Sequence, residues 1–403
     1  MNTKEYLTLF QNELFSSCIP FWLKNGQDKQ FGGVLNCLDR QGNVFSSEKG
    51  VWMQGRTAWT FANIYNKLNK DDSYLQFSKS CLDFEKKYCI DRDGRMFFTV
   101  TREGKSLRKR TYWFSETFYI IANAEYYLAT GNKTYLEEAK YYFNLVYKIY
   151  LDPSCDPYKT TSKTYNQTHH LKTLANPMIL LNVTSIMREA DINNSCYYND
   201  IITTLIDDIK CFYKPELNAL LEKIGIHNEY DCESQSCMIV KPGHDIECSW
   251  FLFEEGIKRK DNELKEFAKK IFIDAIKIGW DNKYGGVFFI KDLANSPIEA
   301  YERDNNVWCP DNDMKSWWPQ CEAIIASLMI YKETKEEVYL EWFEKTTKYA
   351  FKHFSDVEQG EWFKCLTREG EVTNSYCKGD LYKGAFHVMR MLSKCIVMLK
   401  DIK

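Results

Sequence analysis

The sequence predicts an all-α fold, an (α/α)6 barrel in which a toroid of six helical hairpins is joined by short β-hairpin loops. Three observations predict it. Glycine-led hairpin segments start near residues 32, 94, 285 and 360, with weaker breaks near Pro157 and Asn218. The steps are about 62, 63, 61, 67 and 75 residues, roughly two helices with their loops. Between the breaks, apolar residues recur every three or four positions, as amphipathic helices require. No segment alternates helix with parallel strand in the manner of a doubly wound sheet. Closing six two-helix units into a ring gives each unit a neighbour on both sides. The chain, 1–403, therefore reads as one barrel domain, with an irregular helical domain as the alternative that the same periodicity permits.

Each unit can be taken in order. The first opens on Phe31-Gly32-Gly33-Val34-Leu35-Asn36-Cys37-Leu38-Asp39-Arg40-Gln41-Gly42, two apolar runs around a turn, and continues as helices over 57–68 and 74–88. Gly94-Arg95-Met96-Phe97-Phe98-Thr99 precedes helices over 116–130 and 136–150, the former stopped by Thr130-Gly131-Asn132. Helices follow over 177–189 and 201–212, then over 245–258 and 262–279. Gly285-Gly286-Val287-Phe288-Phe289-Ile290 precedes helices over 318–333 and 338–354, and Gly360-Glu361-Trp362-Phe363-Lys364-Cys365 precedes one over 383–399. Thr101-Arg102-Glu103-Gly104 returns as Thr367-Arg368-Glu369-Gly370, which marks an internal repeat.

Composition narrows the function classes. A formal net charge of -3 with mixed signs offers no basic stripe, so nucleic acid is not expected as a partner. The first ten residues lack a basic region leading into a long apolar core, and the longest apolar run, 323–329, is far too short to span a bilayer. No membrane association is expected, and the location is expected to be cytoplasmic. Fifteen cysteines without a Cys-x-x-Cys pair suit a reducing compartment, each serving as a small core residue. The sequon Asn166-Gln167-Thr168 means nothing there. Cys232 and Cys237 have neither metal-ligand spacing nor matching histidines, so no metal is expected. With 11 Trp, 26 Tyr and 25 Phe, rings must line the toroid's cavity as well as fill its core, although core packing is the first reading of any one of them.

The stretch Pro242-Gly243-His244-Asp245-Ile246-Glu247 breaks a loop and opens a helix whose buried face is Ile246, Trp250, Phe251 and Phe253. His244 and Glu247, at i and i+3, project from one side of it. In the first turn the helix dipole disfavours the imidazolium and keeps the ring available as a neutral base. Taken alone, the pair reads as a capping histidine and a solvated glutamate. Its function comes from the rest of the chain.

Six stretches together resemble the N-acylglucosamine 2-epimerase family, also called the renin-binding-protein family. They are Val51-Trp52-Met53-Gln54-Gly55-Arg56-Thr57-Ala58-Trp59, Phe114-Ser115-Glu116-Thr117-Phe118-Tyr119, Pro177-Met178-Ile179-Leu180-Leu181-Asn182, the His244 stretch, Trp317-Trp318-Pro319-Gln320-Cys321-Glu322-Ala323 and Lys383-Gly384-Ala385-Phe386-His387. They stand in the family's order between Phe31 and Leu392. The resemblance implies the (α/α)6 barrel and interconversion of C2 epimers of aldoses, chiefly N-acetylglucosamine and N-acetylmannosamine. Gly32-Gly33-Val34-Leu35-Asn36-Cys37-Leu38-Asp39-Arg40 is similar to the N-acyl branch rather than to relatives that epimerise cellobiose or isomerise free hexoses. The same resemblance implies a small-molecule sugar substrate, a homodimer, no required cofactor, and ATP as an effector that is not consumed. Lys378-Gly379-Asp380-Leu381-Tyr382-Lys383-Gly384 lacks the Gly-Lys-Ser/Thr ending of a phosphate loop, so an ATP effect rests on the resemblance alone.

Inversion at C2 beside the C1 carbonyl requires ring opening, loss of a weakly acidic proton from one face and its return to the other. Histidines suit both tasks because their ordinary pKa lies near 6.5. The family's two bases correspond to His244 and His387. The enediolate puts negative charge on O1, where a fixed cation is the usual large catalytic contribution, and Arg56 is the candidate. Stacking of Arg56 on Trp52 and Trp59 is its structural alternative. Glu247 and Glu322 are expected to hold sugar hydroxyls or orient a histidine, and Trp52, Asn176 and Trp318 to line the pocket. Glu116 has no assignable role. His169 and His170 sit in a polar loop and His227 and His353 match no motif, so all four read as structural or surface residues. Three alternatives stay open: the same chemistry or an aldose–ketose isomerisation on an unmodified sugar, a non-catalytic binding protein of the same fold, and a glycoside hydrolase using Glu247 and Glu322.

Overall fold

The computed structural model describes residues 1–109, 112–156, 171–232, 235–293, 314–373 and 377–402. Its helices are α1 (Thr3–Asn12), α2 (Ile19–Asn25), α3 (Val51–Lys67), α4 (Asp72–Tyr88), α5 (Phe114–Thr130), α6 (Lys133–Leu151), α7 (Ala175–Ala190), α8 (Ser195–Lys210), α9 (Gln235–Met238), α10 (Pro242–Arg259), α11 (Asn262–Gly279), α12 (Trp317–Thr334), α13 (Glu337–His353) and α14 (His387–Asp401). Helices α3, α5, α7, α10, α12 and α14 form an inner ring, each packed on the next, with α14 closing on α3. Outside them, α4, α6, α8, α11 and α13 each pack on the inner helix before them, and α1 runs along α14. The predicted toroid is present.

The two layers differ as their positions demand. Every residue of inner helix α12 from Trp317 to Ile330 is buried. Outer helix α11 buries one stripe, Leu264, Ala268, Ile271, Phe272, Ala275 and Ile276, at the spacing of a one-sided helix. Gly55 sets the close approach of α3 to α5, since a Cβ there would stand 2.7 Å from the carbonyl carbon of Phe118. Among the described residues no helix is long and apolar enough to cross a membrane.

Outer helices end in a tight antiparallel return. Gln27 bridges Val34, Ile90 bridges Met96, Trp280 bridges Val287 and Ser355 bridges Trp362, while β7 (Tyr213–Lys214) pairs with β8 (Ala219–Leu220). The repeated glycines turn these returns: Gly32, Gly94, Gly285 and Gly360 have φ between 78° and 82°, a left-handed conformation that suits glycine. The stretch 31–42 is therefore not one hairpin. Gly32 and Gly33 close the return after α2, and the hairpin is β1 (Cys37–Leu38) with β2 (Val44–Ser46). Short strands then lead into inner helices: β3 (Lys49–Gly50), β6 (Leu171–Thr173), β10 (Ile239–Val240) and β12 (Lys315–Ser316) precede α3, α7, α10 and α12. Each is paired antiparallel, with β4 (Thr99–Val100), β9 (Lys223–Gly225), β11 (Lys291–Asp292) and β13 (Cys365–Leu366) respectively, and β5 (Ser106–Arg108) extends the first pair.

Buried ion groups stitch these returns together. Asp28 pairs with Lys49 at 2.9 Å and Arg102 at 2.9 Å, Asp281 with Lys315 at 3.1 Å and Arg368 at 3.0 Å, and Asp356 with Lys378 at 3.0 Å and Arg40 at 2.7 Å. In each group the aspartate belongs to one return, the lysine precedes an inner helix and the arginine comes from the next hairpin round the ring. The repeated Thr-Arg-Glu-Gly segments supply Arg102 and Arg368. Glu116 is part of the same scaffolding: it accepts from Arg95 at 2.7 Å and from the Met96 amide at 2.8 Å, so it is buried structure and not site.

One helix pair is additional, and the start of the last helix moves. The N-terminal helix pair was not anticipated, because a π turn (Glu13–Cys18) joins α1 to α2 and shifts the phase of the stripe Phe10, Leu14, Ile19, Trp22. Pro20, which has no amide to donate, stands in the first turn of α2. The last helix starts at His387 and not at 383, since Asp380 caps a turn by accepting from the amides of Tyr382 and Lys383, both at 2.8 Å. The break near Pro157, the sequon at Asn166, and His169 and His170 lie outside the described residues.

Candidate active site

All six inner helices point their N-terminal turns at one end of the toroid, around a cavity of about 670 Å³. Helix α3 presents Trp52 and Arg56, α5 Phe118, α7 Met178 and Asn182, α10 His244 and Glu247, α12 Trp318, and α14 His387 and Arg390. Residues more than three hundred positions apart thus share one chamber, because the ring closes between α14 and α3.

Both histidines carry a carboxylate on the same ring nitrogen. His244 Nδ1 lies 2.8 Å from Glu222 Oε2, and His387 Nδ1 lies 2.8 Å from Glu322 Oε1. A carboxylate that accepts the Nδ1 proton fixes the tautomer and leaves Nε2 with its lone pair for the cavity. The indole of Trp318 stands between them, its ring centre 5.1 Å from that of His244 and 5.8 Å from that of His387. Gly243 makes this possible: a Cβ there would come within 2.4 Å of the Trp318 ring.

The charges around the two bases differ. Burial disfavours ionisation of Glu222, but Lys241, at 3.0 Å, and His244 outweigh it and hold the carboxyl down at about 2. Its neighbour Asp245 is fully buried and is pushed well above the carboxylate range, by burial first and then by Glu222, so it stays neutral. His387 is lowered well below the ordinary histidine value by burial, with Arg390 and Arg56 adding to the effect, so it is a neutral base at neutral pH. Arg390 Nη2 donates to Glu247 at 2.5 Å and to Glu322 at 2.7 Å, and Trp250 Nε1 donates to the other oxygen of Glu322 at 2.9 Å. Glu247, Glu322 and His387 bring ligand atoms within 4.8 Å of one another, the spacing of a metal site, but the cation among them is this guanidinium.

Arg56 is enclosed by rings, 4.2 Å from the centre of Phe118 and 4.9 Å from that of Phe386. Burial lowers it to about 9 against the pull of Glu247 and Glu322, with Arg390 adding to the lowering, so it keeps its charge at neutral pH. One Nη1 contact reaches the Tyr382 carbonyl at 3.3 Å, and Nε has no partner.

Of the residues singled out in the sequence, Trp52, Arg56, His244, Glu247, Trp318 and His387 line this cavity, and Glu322 stands directly behind His387. Asn176 does not line it. Helix α7 faces the cavity with Ala175, Met178, Ile179, Asn182 and Val183, and Asn176 is not among them. Glu247 is not the partner of His244. That role falls to Glu222, which the sequence did not mark: it follows β8, and its amide and carbonyl are bonded to Ile239 and Leu174, next to the two strand-to-helix junctions. Arg390 carried a readable signal, since it follows His387 at the i, i+3 spacing that also relates His244 to Glu247. His353 is structural as expected, stacked 4.5 Å from Tyr349 and bonded to the Gly370 carbonyl at 3.0 Å, and His227 is exposed in a loop.

The chain is similar to known proteins in sequence and in fold. The chain is 32% identical to the N-acylglucosamine 2-epimerase of Homo sapiens over 94% of its own length and 87% of that protein's. It is 24% identical to the cellobiose 2-epimerase of Dictyoglomus turgidum over 98% of its length and all of that protein's, 100%. Its fold matches the structure of cellobiose 2-epimerase from Bacillus thermoamylovorans with a TM-score of 0.83, covering 99% of this chain and 100% of that one at 21% identity. The profile of the N-acylglucosamine 2-epimerase (GlcNAc 2-epimerase) family matches residues 33–389, and this chain belongs to that family.

Proposed function

We propose that this protein is a sugar 2-epimerase that interconverts N-acetylglucosamine and N-acetylmannosamine. The observation that carries the reading is the pair of histidine–carboxylate couples, His244 with Glu222 and His387 with Glu322, on either side of Trp318 in one cavity. With the sugar in its open-chain form, one histidine takes the C2 proton through Nε2. The C–H electron pair becomes the C1–C2 double bond, and the carbonyl electrons move to O1, where the Arg56 guanidinium meets the charge. The other histidine, already protonated, gives its proton to the opposite face of C2, the enolate returns to the aldehyde, and the epimer is formed. The reverse reaction exchanges the two roles. No electron is lost and no group is transferred, so the chemistry needs no cofactor, and we place ATP outside it, as an effector only.

The carboxylate pair does not favour a hydrolase. Glu247 and Glu322 meet on one nitrogen of Arg390, which fills the space that a hydrolytic water would need. A cytoplasmic homodimer completes the proposal, and the free thiols of the described cysteines support a reducing compartment.

The test is incubation with N-acetylmannosamine, N-acetylglucosamine, mannose, glucose and cellobiose separately, with products identified by NMR, followed by C2 deuterium wash-in from heavy water for His244→Asn and His387→Asn. Each variant is expected to lose inversion by a factor on the order of a hundred or more while still exchanging one epimer, a different one in each case. A variant that inverts and exchanges both epimers like the parent protein removes its histidine from the mechanism. Turnover of unmodified sugars only would overturn the N-acyl substrate.

A further inference from the structure

The C-terminal turns of the inner helices line a second cavity, of about 270 Å³, at the other end of the toroid. Ile121, Asn182, Phe386 and Arg390 face both cavities, so they form the floor of the active-site chamber. Arg390 is committed to Glu247 and Glu322. Asn182 is half-buried, and its carboxamide has no hydrogen bond with a described residue. The wall that α5 and α7 build around it is otherwise apolar: Phe118, Ile121, Met178, Ile179 and Val183. The Asn182 carboxamide is open to a partner that enters the chamber.

The positions of the bases decide which part of the substrate reaches it. His244 and His387 stand on α10 and α14, the neighbours of α12 on either side. A planar C2 between them presents one face to each, so C1, C3 and the nitrogen substituent lie in a plane that contains the barrel axis. C1 and its oxygen belong with Arg56, and C3 with the rest of the open chain needs the mouth. The nitrogen substituent is left pointing at the floor. We infer that Asn182 reads the N-acyl group, pairing its carboxamide with the acyl amide while Ile121, Ile179 and Val183 hold the acyl methyl. This rests on the epimerase reading above and adds to it the residue and the wall that select an N-acyl group over a hydroxyl at C2. A site built to pair an amide rejects a substrate that lacks one, because its own polar group is then left bare.

Two measurements test it. In protein with ¹³C-labelled isoleucine and valine methyls, nuclear Overhauser contacts from the acetyl methyl of N-acetylmannosamine are expected at Ile121, Ile179 and Val183. Absence of such contacts at all three residues, with N-acetylmannosamine bound, would overturn the assignment. Asn182→Asp, equal in size, and Asn182→Leu are expected to lower kcat/KM for N-acetylmannosamine by roughly tenfold to a hundredfold, chiefly through KM, with circular dichroism showing the fold intact. An unchanged kcat/KM in both variants, in a protein that epimerises N-acetylmannosamine, sinks the role of Asn182 and leaves the functional reading standing. Failure of the parent protein to turn over any N-acyl sugar sinks both.

Discussion

Replacing Glu222 by glutamine tests whether a residue that never touches the sugar governs one of its two bases. Glu222 accepts from His244 at 2.8 Å and from Lys241 at 3.0 Å, and both partners are donors. A carboxylate satisfies two donors; a carboxamide satisfies one and turns its NH2 towards the other. If the NH2 faces His244, the ring must present a bare Nδ1 and carry its proton on Nε2, the wrong tautomer for a base. If the oxygen faces His244, the tautomer survives but the negative charge beside the forming imidazolium is gone. A hydrogen bond to a charged group is worth about 1.5–3 kcal/mol, and each 1.4 kcal/mol or so of barrier is a factor of ten, so the rate through His244 should fall roughly tenfold to a hundredfold. The assay is C2 deuterium wash-in with each epimer separately. The epimer whose exchange His244→Asn abolishes should exchange slowly in Glu222→Gln, while the other should exchange at the parent rate. Because Glu222 is held at about 2, the asymmetry should persist from pH 5 to 9 rather than titrate away. Equal slowing of both epimers would show that Glu222 supports the fold alone, and parent rates for both would show that it does nothing for His244.

Arg56→Lys should keep the fold but lose most activity, since a point charge on a flexible stem cannot reproduce a planar fork wedged among Phe118, Phe386 and Trp52; near-normal kcat/KM would remove Arg56 from the reaction. Gly243→Ala should push Trp318 out from between the histidines, costing about 1–3 kcal/mol of stability in urea unfolding with a larger loss of turnover than of fold, and unchanged turnover would refute that placement of the indole. Asp281→Ala leaves Lys315 buried without its carboxylate and should cost about 3–5 kcal/mol, whereas a loss under 1 kcal/mol or so would show that the ion groups do not stitch the ring. His387 stays neutral when folded, so below about pH 6.5 the unfolded chain binds a proton that the folded one does not, and stability is lost as pH falls. His387→Asn should remove about 1.4 kcal/mol of that loss per pH unit between pH 6 and 5, and parallel stability–pH curves for parent and variant would contradict it.

The helices were legible because each outer helix writes its buried stripe at a spacing of three and four, as Leu264 to Ile276 do. Some N-terminal ends were not, because first residues such as 195–197 come before the first buried position of their helix, here Tyr198. The α1–α2 pair escaped for a different reason. Its π turn carries Glu13 inward, where it accepts from Ser355 at 3.0 Å and Trp362 at 3.1 Å, and a buried carboxylate in mid-stripe reads as an interruption. In the site, residues on a motif helix were found, since helical spacing carries His244 to Glu247. Glu222 lay beyond reach because its position depends on how β10 and the strand-to-helix junction at Leu174 bring it up to α10, and pairing between distant strands leaves no trace in local spacing.

The repeat that betrayed the fold also explains how the second base is placed. Arg40, from the first hairpin, reaches Asp356 in the last return, and Lys378 shares that aspartate, so the ion group that closes the ring also fixes the segment entering α14. Where the returns at Gly32 and Gly285 carry a second glycine, Gly33 and Gly286, the last return has Glu361 at φ 59°. A side chain in that conformation is costly, and here it has work. Glu361 accepts from Trp22 of α2 at 2.7 Å and from the fully buried Lys383 at 2.9 Å, four residues before His387. Glutamate at this place therefore ties the N-terminal helix, the last return and the approach to His387 into one buried group. A glycine there would relieve the backbone and leave Lys383 uncompensated in the core, so the strained residue is the one that the placement of the base requires.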